Sequence, residues 1–151
     1  MLCIVPTQPS SPVVAVGSVA AAATTGALVA MGHRLGAAAL PFAAIGAVML
    51  RRTVTAENGS LLFAGIVLHV TIVFLWSAVF VFLSRRARWN AGVAATVVGA
   101  CELMTSRAAA SITGAGVASV LQLGDQLVLA IVYALALVVG MRFAFSLLRN
   151  A

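Results

Sequence analysis

Leu61-Leu62-Phe63-Ala64-Gly65-Ile66-Val67-Leu68-His69-Val70-Thr71-Ile72-Val73-Phe74-Leu75-Trp76-Ser77-Ala78-Val79-Phe80-Val81-Phe82-Leu83-Ser84 runs without a formal charge. At about 1.5 Å per helical residue it is long enough to cross a hydrocarbon core of about 30 Å. It stops at Arg85-Arg86-Ala87-Arg88-Trp89, a cationic end with an aromatic side chain suited to the headgroup level. Only His69 within it can titrate near neutral pH, about a third of the way along. The stretch reads as a membrane-spanning helix.

The composition agrees. Of 151 residues, 63% are hydrophobic and 8% charged, against roughly 45–50% and 25% in soluble domains, which excludes a water-soluble fold. The net charge of +6 arises from arginines set against Glu57, Glu102 and Asp125, with no lysine. These arginines flank apolar runs instead of forming a patch, so they read as topology determinants and contacts to the lipid bilayer; nucleic acid is not an expected partner. Cys3 and Cys101 offer neither a disulfide framework nor metal-ligand spacing.

Outward from the central run, residues 1–12 have the Pro, Ser, Thr and Gln content of a disordered tail, and a single helical bundle is expected over 13–148. No positive region precedes Val13, so about 13–33 reads as a retained first span, with a cleaved signal peptide as the alternative. Gly17, Ala21 and Thr25 form one small-residue stripe on it, and Ala22, Gly26 and Ala30 another. Such faces suit close helix packing, within the chain or in a homo-oligomer. Residues 35–50 are apolar but short and contain Pro41, which predicts a break near Leu40 and an interfacial or re-entrant helix. Ser60 is a candidate N-cap for the span at about 61–84, and Asn90 for the one at about 91–109. A Gly-rich connector over Ser111–Gly116 leads to a last span at about 121–147. The fold class is therefore all-α: a polytopic transmembrane bundle of four spans plus one short helix, with five spans as the alternative.

Helical rise locates the polar residues. In an alternating bundle, call the side that holds residues 35–60 the connector side. His69 lies roughly 12 Å below it and Glu102, on the antiparallel third span, roughly 10 Å. Arg107, Gln122, Asp125 and Gln126 share that half, and Thr24 and Thr25 reach a comparable depth. His69, Glu102, Arg107, Gln122, Asp125 and Gln126 thus form a candidate intramembrane polar cluster. The spacing of Gly92, Ala95, Gly99, Glu102 and Ser106 directs Glu102 toward other helices. An ionised side chain at a helix centre costs about 2.5–3.5 kcal/mol on insertion scales, so Glu102 is expected to be neutralised by a proton or by pairing with His69 or Arg107. Asp125 has a simpler reading as the N-cap of the last helix. No metal, cofactor or catalytic residue is assigned, because no ligand set, phosphate loop or nucleophile elbow is present. Ser77 or Ser106 with His69 is too sparse a signal for a hydrolase.

The Gly- and Ala-rich first helix, Pro41-Phe42-Ala43-Ala44-Ile45-Gly46, Gly65-Ile66-Val67-Leu68-His69 and the following Arg cluster resemble a family of small, uncharacterised bacterial four-helix integral membrane proteins. The resemblance covers about Val13 to Phe145 and implies a multi-pass protein of the bacterial inner (cytoplasmic) membrane. It implies no activity and no site residues, and Glu102 departs from its pattern. The functional expectation is a structural or accessory protein whose polar cluster fixes helix packing. The alternative is a small transporter or channel with a His69/Glu102 polar half-pore.

Overall fold

The computed structural model describes residues 12–149, and every regular element among them is helical. In chain order these are α1 (Pro12–Arg34), α2 (Leu40–Leu50), α3 (Gly59–Arg85), α4 (Ala91–Thr113), α5 (Val117–Val120) and α6 (Leu123–Arg149). α1, α3 and the Leu123–Ser146 part of α6 are long and apolar enough to cross a membrane. The expected tail, together with Cys3, lies outside the described residues apart from Pro12, which begins α1.

Local sequence sets the helix ends. Asn90 caps α4 by accepting a hydrogen bond from the Gly92 amide at 2.8 Å, the expected role. At α3 the cap is Asn58 and not Ser60: its Oδ1 accepts from the Ser60 amide at 3.0 Å and the Leu61 amide at 3.4 Å, and Ser60 Oγ donates to the same oxygen. Ser60 is already inside the first turn, so Asn58 fills the position two residues upstream. Pro41 sits in the first turn of α2, where its missing N–H costs no helical bond. Gly114 ends α4 in the left-handed conformation (φ 66°), a backbone shape that a side chain disfavours.

The long helices pack directly on the far side of the bundle. There Val16 and Ala20 of α1, Phe80 and Val81 of α3, Ala94, Ala95 and Val98 of α4, and Leu137 and Met141 of α6 share one core. Small residues let the backbones close up: a Cβ on Gly140 would lie 2.9 Å from Val16 Cα, and one on Gly99 would lie 3.2 Å from the Ala130 carbonyl oxygen.

On the connector side, short helices enter the bundle. Pro41 through Ala47 are all buried, which corrects an interfacial placement: a helix lying on the surface would bury one face only. α2 runs antiparallel against α3, and their backbones meet at Gly46 and Gly65. A Cβ on Gly65 would overlap the Phe42 carbonyl, and one on Gly46 the Leu61 carbonyl. α2 and α5, with Leu28 and Met31 of α1 and Leu129 of α6, form a second core. α4 takes little part on this side. No residue from Ala100 to Gly114 is buried.

Gly65→Ala should therefore lower the unfolding free energy by about 1–3 kcal/mol or more, since backbone on both helices must move. Gly26→Ala, with open space around it, should be neutral or stabilising by roughly 0.5–1 kcal/mol. Denaturant titration of both variants in micelles checks the pair.

Candidate functional site

Between α3 and the outer half of α4 lies a cavity of about 370 Å³. His69 lines it from α3, Glu102 and Ser106 from α4, Thr24 from α1 and Tyr133 from α6, with Leu28, Ile72, Trp76 and Leu129 among its apolar walls. His69 is ten residues into α3 and Glu102 eleven residues from the end of α4, so the two lie roughly 15 and 17 Å from the connector ends of their helices. Both depths exceed the sequence expectation because both helices extend further toward that side.

α2 packs against the connector half of α3 at Gly46 and Gly65, and its Ile45 and Val48 line the cavity. α3 and α4 touch through Phe80, Val81, Ala94, Ala95 and Val98 at the far side and diverge toward the connector side. Leu75 and Thr105, both exposed, line the cavity where it reaches the protein surface.

His69 is buried and has defined partners. Its Nε2 lies 3.2 Å from Thr24 Oγ1, and its ring meets Phe42 edge to face at 5.7 Å between centroids. The Thr24 hydroxyl also donates to the Ala20 carbonyl at 2.8 Å, which fixes its place beside the ring. Tyr133 ties α6 to α3 by donating to the Val73 carbonyl at 3.2 Å, and Ser77 donates to the same oxygen at 2.7 Å. Among the described residues, neither Ser77 nor Ser106 is hydrogen-bonded to His69.

Other members of the candidate cluster lie at the rim. Arg107 Nη1 donates to Gln126 Oε1 at 3.2 Å, and the Gln126 amide donates to the Leu121 carbonyl at 2.7 Å. Asp125 is not the N-cap of α6: the helix begins at Leu123, and the carboxylate pairs with Arg34 at 2.6 Å. Gln122 is exposed, with no side-chain hydrogen bond among the described residues.

Glu102 stands apart. It is half-buried on the cavity wall, and its carboxyl forms no hydrogen bond or ion pair among the described residues. The expected pairing with His69 or Arg107 is corrected: Thr24 holds the first and Gln126 the second. Sequence reasoning also missed Tyr133 and Trp76 as cavity walls. Residue spacing puts Tyr133 on one helical face with Gln126 and Leu129, but its cavity role depends on the separation of α3 from α4.

A second recess, of about 690 Å³, lies between residues 51–54 and 112–115 and holds Arg51 and Arg52. The two cavities thus differ in charge. Searches against protein families, curated proteins and solved structures find no match.

The buried His69–Thr24 contact should show a coupling energy of about 0.5–1.5 kcal/mol, the range of interhelical hydrogen bonds in membrane proteins. A double-mutant cycle of His69→Leu and Thr24→Val, read by unfolding in micelles, measures it.

Proposed function

We propose that this chain is a multi-pass protein of the bacterial cytoplasmic membrane, crossing four times through α1, α3, α4 and α6. Its role is structural or accessory, with its polar side chains holding the bundle together. The single observation that carries this reading is that His69, Arg107, Asp125 and Gln126 each bond a side chain on a different long helix. α4 is the least apolar of the proposed spans, but its 23 residues suffice for a crossing. Its packing against α3 and α6 supports counting it with the other three. The Ala22, Gly26 and Ala30 stripe is exposed on α1 and suits contact with a second copy.

These bonds differ in weight. The Arg34–Asp125 pair is exposed on its arginine side, 67% against 15% for the aspartate, and such pairs contribute about 0–1 kcal/mol. Gln126 is buried and bonds two partners, so its loss leaves the Leu121 carbonyl and Arg107 without their contacts. Gln126→Leu should therefore destabilise by about 1–3 kcal/mol, while Asp125→Asn changes stability by less than about 1 kcal/mol. Thermal unfolding of purified variants distinguishes them; equal effects would remove the packing role from Gln126.

The arginine distribution favours both termini in the cytoplasm: Arg34, Arg51, Arg52 and Arg107 lie on the connector side, and Arg85, Arg86, Arg88, Arg142 and Arg149 opposite. Alkaline phosphatase inserted after Glu57 should be active, and a fluorescent protein fused after Ala151 should fluoresce. The opposite pattern inverts the topology; an active phosphatase at both places removes α4 or another helix from the set of spans.

A second reading, a small transporter or channel, draws on the cavity that places His69 and Glu102 on one wall. Flux in proteoliposomes that is lost in Glu102→Gln while unfolding stays unchanged would establish it over the structural role.

A further inference from the structure

The cavity between α3 and α4 has an unusual electrostatic character. Its walls are mainly apolar and aromatic, one acidic side chain lines it, and no arginine does. We propose that it binds a lipophilic organic cation, with Glu102 as the counter-charge. The proposal concerns binding and holds whether or not the chain moves its ligand across the membrane.

Size, charge and access each point to this class. A volume of about 370 Å³ falls in the range of small-molecule sites, roughly 300–1,000 Å³. Trp76 and Tyr133 supply aromatic faces, to which a cation is attracted by the ring quadrupole. The Glu102 carboxyl has no partner among the described residues, and the nearest arginine along α4, Arg107, is engaged by Gln126. His69 is the one basic side chain on the wall, and its Nε2 is committed to Thr24. A hydrophilic ligand would find few hydrogen-bonding groups to replace its water, and an anion would be repelled by the carboxylate. A purely apolar occupant would leave the carboxyl buried and unpaired, which is costly in a low-dielectric site. A hydrophobic body carrying one positive charge satisfies both the wall and the acid.

Access fits the same chemistry. Leu75 and Thr105 are exposed at the level of the cavity and line it, on helices read as membrane spans. The mouth therefore opens sideways, where a molecule that partitions into lipid arrives directly.

The test uses the full chain in micelles with Trp89→Phe, leaving Trp76 as the single tryptophan and a reporter inside the cavity. The probe is N-methyl-4-phenylpyridinium, an aromatic cation that quenches tryptophan. Its control is 4-phenylpyridine in the same mildly alkaline buffer, nearly the same shape without the charge, read by displacement of the cation. The expected result is saturable quenching by the cation, affinity for it roughly tenfold or more above that for the neutral analogue, and loss of that difference in Glu102→Gln. Ser106→Arg, which brings a guanidinium beside Glu102, should abolish cation binding and decides the matter if Glu102→Gln fails to fold. Absence of saturable quenching, equal affinity for the two probes, an undiminished preference in folded Glu102→Gln, or undiminished binding in Ser106→Arg would each overturn the proposal.

Discussion

The structure depends on a backbone contact. At Gly46 and Gly65 the chains of α2 and α3 approach so closely that a single methyl group on either would overlap a carbonyl. Lipid tails offer helices no hydrophobic reason to associate, so close approach and dispersion must supply the attraction. This contact lets an eleven-residue helix, too short to cross a bilayer, sit inside the bundle. Once there, it packs on the connector half of α3, and its Ile45 and Val48 form part of the cavity wall between α3 and α4.

The polar residues then divide into distinct environments. Those at the connector rim join long helices to one another: Arg34 to Asp125, and Arg107 to Gln126. Those deeper in face the cavity. Of these, His69 is fixed by Thr24 and Phe42, and Tyr133 by the Val73 carbonyl, whereas Glu102 has open space before it. Intramembrane charge is costly enough that it marks function or structure wherever it persists. Here the rim groups have structural partners, and the acid on the cavity wall does not.

Much of this architecture was legible in the sequence. The apolar runs gave the long helices to within a few residues, and Asn90 and Pro41 marked helix starts because their roles depend on local backbone chemistry alone. Counting residues at fixed rise puts His69 and Glu102 in the same half of the bundle, and both line the cavity. The failures share a cause. Whether two side chains at one depth touch depends on the rotation and separation of their helices, which residue spacing along each chain does not encode. Thus spacing suggests a Glu102–His69 pair, whereas Thr24 holds His69 and Glu102 lines the cavity without a partner among the described residues. The burial of α2 was hidden for a related reason: an apolar helix of that length looks the same on a membrane surface as inside a bundle. Asp125 and Ser60 are misplaced as caps by small errors, helix starts lying three and two residues upstream of the expected ones.

α4 is held firmly only over its first half, where Ala94, Ala95, Val98 and Gly99 are buried. Beyond Gly99 its fourteen residues to Thr113 form a rigid arm of roughly 21 Å, fastened a little past its middle by the Arg107–Gln126 bond. For such an arm, a tilt of about 5° at the pivot moves the tip by roughly 2 Å. The width of the cavity mouth is thus set mechanically by small-residue packing at one end of the bundle and a polar latch toward the other.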